Sequence, residues 1–225
     1  MLNRQVLGAV LMGLLLATAG CSGLTGGGEP GAGTGTPTDG GNSGPGGEVT
    51  AAYTFSEGES YTYVSETQQG SSSITWTVES VSDGQVTVNI STQRGGTTVT
   101  ASQANIFNRS RQQSMSAAVF VTFLRLPVLA ASGHTLEEGN SWTVSGSDLN
   151  MGGQSSQMQD ISVEITGTDT VAGTECYTAE LSSAASNTTM EACLRADWPF
   201  ALSVGTAGGS GTSQLDISVD QFERP

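Results

Sequence analysis

The chain of 225 residues carries 21 acidic residues against seven basic ones, all of them arginine, for a formal net charge of −14. Neutralising phosphates takes a basic face, so this composition excludes nucleic acid as a partner. Three cysteines and one histidine leave little material for a metal centre or a proton relay, and no cofactor is expected.

Residues 1–20 have the layout of an export signal. Arg4 is the one charge, Val6 to Ala17 is apolar, and Ala19 and Gly20 are small. The apolar run falls short of the roughly 20 residues that a permanent bilayer span needs. Thr18-Ala19-Gly20-Cys21 resembles the lipobox of prokaryotic lipoproteins. That resemblance implies lipid on the Cys21 sulfur, cleavage just before it, and attachment to the outer, extracytoplasmic face of a cell membrane. The alternative is a signal cut near Ala19 that leaves Cys21 as an incidental thiol.

From Cys21 to residue 50 the chain is almost entirely Gly, Thr, Ser and Pro, with Leu24 and Val49 its only large apolar side chains. Such a segment buries too little surface to offset its ordering entropy and reads as a tether. A flexible coil of about 29 residues spans on the order of 30 Å. The complete lack of lysine beside an acid excess resembles proteins of salt-adapted organisms, which implies a haloarchaeal source; a high-GC bacterium is the alternative. On an exported chain the sequons at Asn89, Asn108 and Asn187 are candidate N-glycosylation sites.

Residues 51–225 have the length of a single domain. Period-two alternation recurs at Val49, Ala51, Tyr53 and Phe55; at Ile74, Trp76 and Val78; at Val86, Val88 and Ile90; at Ile161, Val163 and Ile165; and at Leu215, Ile217 and Val219. Each run predicts a half-buried strand. The expected fold is an all-β antiparallel meander, a sandwich or partly open barrel, with at most one short helix. In the hairpin around Asp83-Gly84, hydrophobic phase favours pairing Val78 with Ile90 and Ser82 with Val86 over a two-residue turn, with an odd loop or bulge near Asp83 to Gln85. "FSEGESYTYV" from Phe55 and "LEEGNSWTVS" from Leu136 share a Glu-Gly turn before an aromatic strand, at an offset of 136 minus 55, or 81. Val78-Glu79 and Val163-Glu164 match further on. The pattern is that of two similar halves, about 51–131 and 132–225; reuse of a common turn is the alternative.

One stretch, Arg111 to Leu124, has helical spacing at Met115, Ala118, Val119 and Phe123, and Pro127 should end it. "AVFVTFL" inside it fits a buried strand equally well. Cys176 and Cys193 flank a hairpin turning within Ser182 to Asn187. A register that sets them opposite each other sorts apolar Tyr177, Ala179, Leu181, Met190 and Ala192 onto one face. A Cys176–Cys193 disulfide follows, against the alternative of two buried free thiols. Cys21 is then left unpaired, as a lipidated residue would be.

No catalytic constellation emerges. His134 stands in a loop beside Gly133, no Gly-x-Ser-x-Gly occurs, and Glu57 with Glu59 and Glu137 with Glu138 read as solvated turn residues. The chain is therefore not read as an enzyme. Arg109, Arg111 and Arg125 flank the apolar stretch and could grip an anionic headgroup beside Trp76, Phe120 and Phe123, or else pair with surface acids. Architecture and anchoring together resemble the β-cradles of lipoprotein carriers, which implies a small or lipid-like ligand on the concave side of the sheet. The other function left open is an envelope or protein-interaction module. An apolar cavity lined by Trp76, Phe120 and Phe123 favours the ligand, and a filled core favours the interaction role.

Overall fold

In the computed structural model, residues 45–67, 70–149, 159–183, 186–207 and 215–225 are described. The signal, Cys21, most of the tether and the side chain of Asn187 lie outside the described residues. The strands are β1 (Ser60–Thr67), β2 (Gly70–Ser82), β3 (Gln85–Thr92), β4 (Gly95–Ser102), β5 (Ser141–Val144), β6 (Ile161–Val171), β7 (Thr174–Ser183), β8 (Ser186–Leu194), β9 (Ser203–Ala207) and β10 (Asp216–Glu223). They form one antiparallel sheet in the order β4-β3-β2-β1-β10-β9-β8-β7-β6-β5. The sheet does not close, because β4 and β5 are its two edges. The all-β antiparallel meander is thus the fold, in its partly open form.

The alternating apolar side chains supply one lined face: Tyr61 and Tyr63 from β1, Trp76 and Val78 from β2, Val86, Val88 and Ile90 from β3, Val163 and Ile165 from β6, Ile217 and Val219 from β10. Helices cover that face, and there is more helix than one short piece. After a 3-10 turn at Gln103–Asn105 come α1 (Ile106–Gln113) and α2 (Met115–Ala131). Ser114 separates them with extended backbone, and its hydroxyl accepts the Ala117 N–H at 3.1 Å, capping α2. So Arg111 to Leu124 is helical, and the β propensity of its Val and Phe residues yields to packing. The inward face is Ala117, Phe120, Val121, Leu124, Val128 and Ala131, spaced as a helix face should be. Met115 and Val119, which suggested the helix from sequence, lie on its outer side, 83% and 47% exposed. Pro127 does not end α2, which runs on to Ala131. The ring removes one donor from the helix ladder, and the nearby Leu124 carbonyl accepts the Ala201 N–H at 2.9 Å from outside the helix.

Two expectations near the N-terminal end change. Residues 51–57 form no strand. Phe55 is nevertheless buried, and the Gln103 amide stands in for a neighbouring strand, accepting the Phe55 N–H at 3.0 Å and donating to its carbonyl at 3.1 Å. The end of the tether is also docked: the Val49 N–H bonds the His134 carbonyl at 3.0 Å, and the Gly133 N–H bonds the Val49 carbonyl at 2.8 Å.

Bulges correct the predicted registers. Val81 pairs with Val86 and Ser82 with Gln85 around a two-residue Asp83-Gly84 turn, with φ of 51° and 72° as a primed hairpin turn requires. The apolar phase is reset four residues away, where Glu79 bulges and Val78 comes to face Val88. β6 repeats the device, with an irregularity between Ile165 and Gly167 and a second tight turn at Ala172-Gly173, φ 47° and 76°. The shared turns also match in hydrogen bonding. Gly58 N–H bonds the Val78 carbonyl at 3.0 Å and Val78 N–H the Glu59 carbonyl at 2.8 Å; Gly139, Ile165 and Asn140 repeat this at 2.8 and 2.9 Å. Val78 therefore corresponds to Ile165 (165 minus 78 is 87), and not to Val163.

The Cys176–Cys193 disulfide is present, with Cα atoms 5.5 Å apart. Its register is two residues from the one expected: Thr178 faces Cys193, and Ala179 faces Ala192. A shift of two preserves faces, so hydrophobic phase could not detect it. Both cysteines are buried, whereas the sequence placed them on the wetter face. With the two cysteines 17 positions apart in the chain, replacing both by Ala should cost about 3 kcal/mol through loop-closure entropy. Urea midpoints of the oxidised chain and the double variant measure this, and equal midpoints would show that the bridge contributes nothing.

Candidate functional site

The six residues proposed from sequence as a ligand cleft do not form one. Trp76 and Phe120, 0% and 3% exposed, sit in a continuous ring cluster. Trp76 lies 5.3 Å from Phe200, 5.8 Å from Phe107 and 5.9 Å from Phe55, and Phe120 lies 5.2 Å from Phe200. Rings at these separations are in packing contact. Phe123 is half-buried on the outer part of α2, and Arg109 is exposed on α1 with Arg111 half-buried. Arg125 points inward, 4% exposed. Its guanidinium donates to the Pro199 carbonyl at 2.7 Å and to the Ala51 carbonyl, and lies 4.1 Å above the Phe107 ring. Burial pushes its pKa down to about 10, which still leaves it charged at neutral pH. Arg125 is thus a strut between α2 and two loops, neither a ligand grip nor half of a surface ion pair. Of the sequons, Asn89 lies on β3 with its amide donating to Thr98 Oγ1 at 3.2 Å. Asn108 lies on α1, where the serine of its sequon, Ser110, is fully buried.

Sequence reasoning also missed a buried carboxylate. Glu59 is 4% exposed and accepts from the Ser56 N–H at 2.9 Å, the Tyr61 hydroxyl at 2.9 Å and the Tyr53 hydroxyl at 3.2 Å. Arg224, near the C-terminus, reaches Asp197 at 3.2 Å, and Arg195 meets the same carboxylate at 2.9 Å. Burial pulls the Asp197 pKa upward, but the hydrogen bond and charge of Arg195, with those of Arg224, hold it below the ordinary value. The tyrosines flanking Glu59 two and six residues away were the only sequence signal that this acid has partners. The cluster fastens the start of β1 to the 195–199 loop and the chain end, a structural task.

The open geometry lies at the β5 end of the sheet. His134 stacks flat on Trp142, centroids 4.4 Å apart at 8°, and the Trp142 indole N–H donates to the Ala130 carbonyl at 2.8 Å. His134 is therefore a half-buried packing residue and not the exposed loop side chain expected. Beside it a groove of about 390 Å³ is lined by Ala51, Leu129, Ser132, His134, Val144 and Asp148, among others. A second groove of about 360 Å³ is lined by Ser141, Thr143, Ser162, Glu164, Glu180 and Ser182, with Trp142 and Val163. Strand alternation assigns Trp142 and Val144 to the covered face and Ser141 and Thr143 to the outer one. The two grooves flank the edge strand and share Thr143: the first is walled chiefly from the covered side by Leu129, His134 and Val144, the second chiefly from the outer side by Ser141, Glu164 and Glu180.

The outer face beside the second groove carries a row of acids interrupted by one glycine. Glu164 faces Glu180 and Glu180 faces Glu191 across three strands; Gly205 follows, then Asp216 and Glu66. Neighbouring strands stand about 4.8 Å apart, and like charges directly opposite one another are destabilising. All five carboxylates are exposed. Among the described residues no group of three His, Cys, Asp or Glu side chains is disposed to hold a metal ion, and no helix is long and apolar enough to cross a membrane.

No family model matches the sequence, and no curated protein does. Among solved structures the chain has a distant resemblance to MucB in complex with MucA(peri), 14% identical, covering 74% of this chain and 50% of that one with a TM-score of 0.42. The Pseudomonas aeruginosa MucA/MucB complex gives 12% identity, 73% and 50% coverage and a TM-score of 0.41. MucB alone gives 12%, 74% and 53%, and 0.42. The chain spans about half the length of the chains it resembles.

Proposed function

We propose that the chain is a non-catalytic module, held by lipid on Cys21 at the outer face of a cell membrane, whose β-domain binds a protein partner. The filled interior carries this reading. A small or lipid-like ligand on the covered side of the sheet needs space where Trp76, Phe107, Phe120 and Phe200 already stand in ring contact. Recognition then falls to the surface, where both sheet edges, β4 and β5, are open and grooves adjoin β5. Extracytoplasmic placement is supported by the export layout of residues 1–20 and by a disulfide, a bond that persists in oxidising compartments.

Photo-crosslinking of the full chain in its host membrane, followed by mass spectrometry, tests the partner. A protein adduct recovered at near-stoichiometric yield is the expected result. A purified chain that instead retains a small molecule, with no protein adduct, would reverse the assignment in favour of a ligand carrier. Intact mass of the processed chain tests the anchor separately: a bare Cys21 sulfur refutes the lipid and leaves the interaction role standing.

A further inference from the structure

We infer that β5 is a docking edge for an extended segment of a partner protein, one that alternates apolar and basic side chains; the inference rests on the protein-binding role proposed above and specifies its site. Among the described residues β5 pairs only with β6. The Ile165 N–H bonds the Asn140 carbonyl, and antiparallel ladders bond alternate residues. With the pairing Ser141 to Glu164 and Trp142 to Val163, Trp142 and Val144 direct their backbone groups to β6. Ser141 and Thr143 therefore present two N–H donors and two carbonyl acceptors to the open side.

An added strand continues the pleat, so its side chains alternate between the two faces. Each face offers a groove next to this edge. On the covered side the groove is lined by Leu129, Val144 and the His134 ring, which offer an apolar wall to apolar side chains, with Ser132, Ser145 and Asp148 completing its lining. On the outer side the groove contains Glu164 and Glu180, at the end of the acidic row. Mutual repulsion along that row is relieved by a partner's guanidinium or ammonium groups. The charge also selects the occupant: an acidic segment would meet a chain of formal net charge −14, and a hydroxyl-rich or apolar one would leave the row unneutralised. Four residues make a short edge, of a length that guards against indiscriminate pairing, so specificity has to come from the grooves.

The test uses the full chain and a fluorescein-labelled hexapeptide of alternating Val and Arg, read by anisotropy. The peptide should bind, and the Val/Glu counterpart should not. Thr143→Pro removes one outward N–H without touching the β6 ladder, since edge strands accept proline, and should weaken binding roughly tenfold. Glu180→Gln should weaken it about fivefold, with the loss shrinking as salt rises. Methylating alternate peptide amides removes the same hydrogen bonds from the ligand side and keeps the test valid if Thr143→Pro fails to fold. Failure of the Val/Arg peptide to bind, or binding that is indifferent to both Thr143→Pro and amide methylation, overturns the inference. If a crosslinked partner then persists and maps elsewhere on the sheet, the protein-binding role survives without this site.

Discussion

Trp76→Ala is expected to lower stability by about 4 kcal/mol, because it removes a large ring from a site where its neighbours cannot collapse inward. Trp76 is fully buried, touching Phe55, Phe107, Phe120 and Phe200. Those rings are held from opposite sides, by the loop before β1, by both helices and by the 195–202 segment, so a void would remain. Trp76→Phe should cost only about 1 kcal/mol. The indole Nε1 is buried without a hydrogen-bond partner, and phenylalanine removes that unsatisfied donor along with some volume. Urea midpoints at unchanged m-value separate the two variants. The alanine variant has a functional readout as well. An apolar void stays dry and takes up small apolar molecules, so Trp76→Ala should bind benzene or xenon where the parent chain does not. A parent chain that already binds them with the same affinity would mean that a ligand cavity exists natively, and the protein-partner role would lose its main support.

The faces of the strands were legible in the sequence, and the way the strands align was not. Ile74, Trp76 and Val78 alternate cleanly, and all three lie on the covered side. A bulge leaves no compositional trace, however, so the resets at Glu79 and beyond Ile165 are invisible in the sequence, and hydrophobic phase alone favours an odd loop over the Asp83-Gly84 turn. The cysteine hairpin failed in a related way, since a two-residue slip keeps every side chain on its own face. On α2 both sides are apolar, and the outer stripe of Met115, Val119 and Phe123 was indistinguishable from the inner one. The supposed cleft grouped Trp76 with Arg109 because both lie near apolar runs, yet one is interior and the other exposed. Arg125 carried a usable signal, a lone charge within Phe123-Leu124-Arg125-Leu126, which marks a cation carried inward with its neighbours. The β5 site had none. It is assembled from α2, β5, β6 and β7, and only the tertiary fold brings His134 onto Trp142 and aligns Glu164 with Glu180.

Alkaline pH should destabilise this chain progressively, beginning near pH 10. Tyr63 is fully buried with its hydroxyl donating to the Ala201 carbonyl at 2.9 Å, and burial raises its pKa well above the ordinary 10.0. Burial also raises that of Tyr61, with Tyr53 and Glu59 adding to the effect. Above pH 10 the unfolded chain releases these two protons and the folded chain keeps them. The folded state then binds more protons, and stability falls as pH rises, by about 1.4 kcal/mol per pH unit for each tyrosine. Arg125 acts in the opposite sense. Its folded pKa of about 10 lies below the ordinary 12.5, so between those values the unfolded chain holds the extra proton and stability gains from the relief of a buried charge. One arginine offsets one tyrosine, leaving a net loss of about 1.4 kcal/mol per pH unit above pH 10, to which Tyr53, also raised chiefly by burial, adds. Tyr63→Phe cancels one contribution and should flatten the profile above pH 10 while costing about 1 kcal/mol at neutral pH from the lost hydrogen bond. Urea midpoints from pH 7 to 11.5 measure both effects, and a Tyr63→Phe profile parallel to that of the parent chain would show that this buried phenol does not drive the alkaline transition.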